Sequence, residues 1–177
     1  LNDVMGLDLT ARDVAALDAR TEGWIAALQL AAISMQGRSD AAEFIAGFAG
    51  DDRFIVDYLV GEVLQRQPEA VRQFLLQTSV LDRLTGPLCD AVTGATGSTA
   101  MLEALDRENL LVIPLDDRRE WYRYHHLFAD LLRNRLLQSD PELALAVHRR
   151  ASEWLGPEGH RYEAVRHAVA AEALESA

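Results

Sequence analysis

The sequence predicts a mainly α fold, and three observations predict it. Apolar residues recur at helical spacing through most of the 177 residues, a short β-rich stretch interrupts them between residues 110 and 124, and Gly or Pro marks the breaks between periodic runs. The breaks divide the chain into a helical segment over 1–66, a mixed segment over 67–138 and a helical hairpin over 139–177.

Residues 10–35 place Leu17, Trp24, Leu28 and Ala31 so that neighbouring turns share a face, with Thr10 as N-cap. Gly23 interrupts the run. Because Gly in a helix interior costs about 1 kcal/mol, it is expected at a helix start or at a tight junction between two helices. A further helix is expected over 51–67, where Ile55, Leu59 and Val63 form one stripe and Val56, Val60 and Leu64 its neighbour. Pro68 fits the first turn of the next helix, which turns Val71, Phe74 and Leu75 inward.

Thr85-Gly86-Pro87 opens a short helix with Leu88, Cys89 and Val92 on its apolar face. The 94–97 segment is a loop leading to Ser98, the expected N-cap for Met101, Leu102 and Leu105. The period then changes. The apolar run 110–115, the polar turn 116–120 and the aromatic alternation of 121–124 read as a β-hairpin, after which Leu127, Leu131 and Leu132 restore helical spacing. Helices, a hairpin and one more helix give the element order of a winged helix, with 116–120 as the wing. Asp140-Pro141 then caps a helix that turns Ala144, Val147, Ala151 and Trp154 inward, and the run Gly156-Pro157-Glu158-Gly159 stops it. A partner helix over 161–172 carries Tyr162, Val165 and Val169. The pair looks like the first, TPR-like unit of a helical solenoid, with apolar surface left exposed.

Charge and composition narrow the function. Acidic residues number 28 against 17 basic ones, a net charge of −11, and every basic residue is arginine. Without lysine the chain holds no phosphate-binding loop ending in Gly-Lys, no Schiff-base lysine and no kinase-type catalytic lysine. Over 67–138 eight arginines face ten acids, and the helix that would enter a DNA groove has Glu103, Asp106 and Glu108 against Arg107. Such a surface repels a phosphate backbone, so a winged helix serving inside a protein is the better reading. Cys89 is the single cysteine, no apolar run reaches the roughly 18 residues a membrane span needs, and a reducing cytoplasm fits both. The opening at Leu1 is expected to lie inside a larger protein.

Three segments, in order, carry a resemblance: Thr21-Glu22-Gly23-Trp24-Ile25-Ala26-Ala27-Leu28-Gln29-Leu30-Ala31-Ala32, Phe74-Leu75-Leu76-Gln77-Thr78-Ser79-Val80-Leu81-Asp82-Arg83-Leu84, and Trp121-Tyr122-Arg123-Tyr124-His125-His126-Leu127-Phe128-Ala129-Asp130-Leu131-Leu132. Together they resemble the large MalT-like transcriptional regulators of the LuxR class, members of the signal-transducing NTPases with numerous domains (STAND). The resemblance implies a helical lid subdomain over 1–66, a winged-helix subdomain over 67–138 and the start of a superhelical sensor over 139–177. It implies a P-loop domain before Leu1 as partner, a DNA-binding helix-turn-helix beyond Ala177, self-association, an inducer of unknown identity, and ATP or ADP bound by the parent protein rather than tightly by this segment. It further implies nucleotide contact by a lid motif, which maps onto Gly23, Trp24 and Ile25, and by a histidine at the end of the wing, which maps onto His125. Ile25 stands where the wider class has Pro, and His126 where it has Asp.

Other assignments are blander. No catalytic residue is expected. No metal site is expected either, because the five histidines fall on different elements and Cys89 lies far away in sequence. Trp24, Trp121 and Trp154 read as core, Cys89 as an inert buried thiol, and His125 with His126 has a purely structural alternative. The rival functions are a stand-alone winged-helix DNA-binding module and a helical interaction scaffold without a nucleotide role.

Overall fold

Side-chain caps begin three of the helices where the sequence marks them, at Thr10, Thr85 and Asp140. The structure is a computed structural model, and it describes residues 9–35, 44, 45, 56 and 59–176. Helix α1 (Ala11–Thr21) opens on a capping box in which the Thr10 hydroxyl accepts from the Asp13 N–H and the Asp13 carboxylate accepts from Thr10. It closes on Glu22 and Gly23, both left-handed (φ 50° and 72°), and α2 (Ile25–Met35) starts beyond them. The helix expected over 51–67 is described only in part: Leu59–Leu64 forms a π-helical turn with Leu59 and Leu64 buried, and Ile55 lies outside the described residues.

Pro68 is the N-cap of α3 (Glu69–Thr78), and Thr85 caps α4 (Gly86–Thr93) through its hydroxyl. Gly86 is required there, because a Cβ would stand 2.0 Å from the Thr99 hydroxyl of α5 (Ser98–Arg107). The N-cap expected at Ser98 is instead Gly97, at φ 93°. The Asp90 carboxylate of α4 accepts from the Ser98 N–H at 2.9 Å, so capping comes from a neighbouring helix, which local spacing does not reveal.

Strands β1 (Val112–Pro114) and β2 (Tyr122–Tyr124) pair antiparallel, with Val112 opposite Tyr124. Leu84 adds an antiparallel bridge to Tyr122, which completes the small sheet of a winged helix. At the wing tip Asp116 accepts backbone bonds from Arg118, Glu120 and Trp121. Helix α6 (His126–Ser139) leads into α7 (Pro141–Leu155), capped by the Asp140 carboxylate, and α8 (Arg161–Glu175) folds back against α7.

The core is built between α3, α4, α5, the hairpin and α6, where Leu75, Leu84, Leu88, Leu102, Leu127 and Phe128 are each no more than 2% exposed. Apolar burial of this kind is the main stabilising contribution of such a domain. The Tyr124 hydroxyl meets Thr78 Oγ1 at 2.6 Å, satisfying both inside it. Cys89 is buried, and burial pushes its thiol up, which keeps it protonated and inert.

The expectation for the three tryptophans changes. Trp24, Trp121 and Trp154 are half-buried rather than core: Trp24 and Trp154 pack against the edge of the buried cluster, and Leu155 takes the buried place expected for Trp154. On α8 the buried residues are Ala164, His167 and Ala171, and the exposed Tyr162, Val165 and Val169 form the apolar surface expected of this hairpin.

Candidate functional site

The end of the wing meets the turn between α1 and α2, and the local sequence of each explains the meeting. In β2, Tyr122 and Tyr124 are buried, so the alternation of a strand turns Arg123 to the other side. The chain then bends into α6. His125 stands at its N-cap, its N–H donating to the Leu111 carbonyl at 2.7 Å and its own carbonyl accepting from Phe128 and Ala129. On the opposite side the Thr21 hydroxyl donates to the Leu17 carbonyl, ending α1, and two left-handed residues present the Thr21 carbonyl and the Glu22 side chain toward the wing.

His125 is the centre of the contact. Its ring is 3% exposed, and Nε2–H donates to the Thr21 carbonyl at 2.7 Å. That carbonyl also accepts from the Trp24 N–H at 2.8 Å, so one backbone oxygen fixes both the turn and the imidazole. The Trp24 ring meets His125 edge-on at 5.6 Å, and His126 stacks on its other side at 4.9 Å. Nδ1 is buried with no hydrogen-bond partner among the described residues. Burial holds His125 below the ordinary histidine range, against the opposing pull of the Thr21 bond and the Glu22 charge, so its ring is neutral at pH 7.

Around it lies a charged rim. Arg123 Nη1 donates to both Glu22 carboxylate oxygens, at 3.1 and 3.0 Å, and His126 Nδ1 lies 2.9 Å from Glu22 Oε1. Partial burial works to raise the Glu22 pKa, but the bonds from His126 and Arg123 and the neighbouring charges outweigh it and hold the carboxyl below its usual range. The rim is therefore an anion clasped by donors from the wing.

All the residues singled out in the sequence lie at this junction. His125 is sealed beneath it, Trp24 is half-buried against it, Gly23 is exposed, and Ile25 is 70% exposed. The expectation that the histidines stand apart is corrected. Donor atoms of Glu22, His125 and His126 lie within 4.8 Å of one another, because the α1–α2 turn brings a carboxylate across 104 residues. His148 and His167 also meet, Nδ1 to Nδ1 at 2.8 Å. Against a metal ion at the first cluster stand the Arg123 guanidinium on the same carboxylate and the commitment of His125 Nε2–H to Thr21. Sequence reasoning missed Glu22 and Arg123. Their only signal was the outward place of Arg123 between two inward tyrosines, and nothing local gives its partner 101 residues away.

A groove of about 470 Å³ runs between α5 and the wing, lined by Thr99, Leu102, Glu103, Arg119 and Tyr122.

Residues 60–144 match the family model of the MalT winged helix domain. The serine/threonine-protein kinase PknK of Mycobacterium tuberculosis is 41% identical over 171 residues, covering 97% of this chain and 15% of that protein. The HTH-type transcriptional regulator MalT is 39% identical in Klebsiella pneumoniae over 154 residues (84% of this chain, 17% of the relative) and in Serratia proteamaculans over 169 residues (92% and 18%). The chain thus spans less than a fifth of the length of the curated relatives it matches.

Proposed function

This chain carries a winged-helix domain of the MalT family, and from that premise we propose that it is the regulatory middle segment of a cytoplasmic, ATP-dependent transcriptional activator. Its work is switching, not catalysis. It couples the nucleotide state of a P-loop domain in the same polypeptide, and an inducer sensed by the helical part, to self-association and transcription. DNA is contacted by a separate helix-turn-helix.

One observation carries this reading. The wing histidine and the lid motif, 100 residues apart in the chain, meet in one small cluster in which a single imidazole N–H holds the lid turn. The donor set suits a phosphoryl group: Arg123 and His126 at the rim offer N–H donors, and His125 offers a third once the Thr21 carbonyl releases it. ADP would be held between this rim and the lid motif, where Gly23 and Ile25 are exposed and Trp24 is half-buried. In the closed state His125 donates to the nucleotide, and in the open state it loses that bond as the winged helix swings away. A charge-assisted bond contributes about 1.5 to 3 kcal/mol, enough to bias a two-state equilibrium about tenfold or more.

The test is His125→Ala in the complete polypeptide. Inducer-independent transcription should rise and bound ADP should fall. Basal transcription and ADP retention both at the wild-type level would overturn the reading. The fold of α5 supports it over direct DNA reading, because Glu103, Asp106 and Glu108 share that helix and its C-terminal end with Arg107 alone as a cation.

A further inference from the structure

Two features separate the Glu22 contact from an ordinary surface ion pair. The first is convergence: one carboxylate receives Arg123 on both oxygens and His126 on one, with His125 Nε2 only 3.8 Å away though bonded to Thr21, all from one four-residue stretch that joins β2 to α6. In a chain with a net charge of −11, such a gathering of donors is a built oxyanion cradle rather than a chance pairing. The second is the backbone. Glu22 is a non-glycine residue at φ 50°, followed by Gly23 at 72°, so the turn holds a costly left-handed conformation that delivers this carboxylate into that cradle.

We infer that the Glu22 carboxylate is an intramolecular stand-in for a phosphoryl oxyanion, masking a site made by Arg123, His125 and His126. The lid's own acid and an incoming phosphate compete for the same donors. A tethered carboxylate has a high local concentration, and a phosphate must displace it or wait for the lid turn to withdraw it. The masking rests on the geometry alone. Assigning the oxyanion to a nucleotide rests on the function proposed above.

Glu22→Gln keeps the side-chain shape and removes the charge that excludes an anion. The probe is inorganic pyrophosphate, titrated at low ionic strength into this chain as wild type, Glu22→Gln and Glu22→Gln/Arg123→Ala. The half-buried Trp24, 5.6 Å from His125, reports occupancy by its fluorescence, and calorimetry gives the affinity. The expected result is about tenfold or more tighter binding in Glu22→Gln, a difference of about 1.4 kcal/mol, lost again in the double variant. No gain in a folded Glu22→Gln overturns the inference. So does a gain that survives Arg123→Ala, because the anion would then sit elsewhere. If Glu22→Gln does not fold, Glu22→Asp withdraws the carboxylate while keeping its charge. A gain of about threefold is then expected, about half of the free-energy difference above, and no gain again overturns the inference. Pyrophosphate has neither base nor sugar, so tighter pyrophosphate with unchanged ADP binding supports the masking and counts against the nucleotide reading. Absence of any pyrophosphate gain removes the masking and leaves the His125→Ala test standing.

Discussion

The winged-helix body and the lid junction differ in their contacts, although Leu17, Ala31 and Met35 of the lid belong to the same buried apolar cluster as the body. In the body, α3 to α6 and the hairpin share a continuous apolar core, with Leu75, Leu127 and Phe128 fully buried. At the junction the α1–α2 turn is joined to the wing by the His125–Thr21 bond, the Glu22 clasp and an edge-on Trp24 ring. Apolar packing is non-directional and cooperative, whereas a few polar contacts are made or lost together and exchange readily for a ligand's. The difference says where the proposed switching would act: the body would move as a unit and the junction would open.

Breaking the body should have the largest effect. Phe128→Ala removes a fully buried ring and should cost about 3–5 kcal/mol, read as a fall in the midpoint of denaturant or thermal unfolding for the whole chain. A loss below about 1 kcal/mol would mean that the core does not hold the body as described.

Acid should act at an intermediate level, through the second histidine pair. Burial, with the charges of His148 and Arg166, pushes His167 down to about 4 from an ordinary 6.5, and burial with Arg166 and Arg133 lowers His148 as well. Asp82 and Glu163 oppose the effect on His167. The Nδ1–Nδ1 bond needs one ring as acceptor, which must be neutral, and burial lowers both pKa values, so the neutral pair is favoured at pH 7. A histidine whose folded pKa is depressed contributes stability that is complete above 6.5 and lost as pH falls toward 4, because the unfolded chain takes the proton first. The melting temperature should therefore hold from pH 8 to 7 and decline from 6.5 toward 4, with a shallower decline in His167→Gln. Equal slopes in the two proteins would contradict the assignment.

The smallest effect belongs to the rim. Arg123 and Glu22 are 33% and 26% exposed, so Arg123→Ala should change global stability by about 1 kcal/mol or less in equilibrium unfolding. A loss on the scale of Phe128→Ala would erase the contrast between body and junction.

How legible all this was in the sequence follows the same divide. Elements set by their own residues were legible: the Thr10 and Asp140 caps, the Gly23 break, the apolar faces of α4 and α6, and the hairpin each carry a local signature. Contributions from distant residues were not. Ser98 has the right side chain for an N-cap, yet Asp90 supplies the acceptor from the preceding helix. His125 was legible as a residue of interest through its place after the wing. Its acceptor, the Thr21 carbonyl, is a backbone atom with no sequence signature. Glu22 and Arg123 were ordinary charges until the fold brought them together.

The central claim is that the lid opens independently of the body, with His125 as its fastening. Amide hydrogen exchange measured residue by residue on wild type and His125→Ala tests it most directly. Amides of α1 and α2 should exchange about tenfold or more faster in the variant, while those of Leu127, Phe128 and Leu132 keep their wild-type protection. Acceleration of both sets together, or of neither, would contradict it.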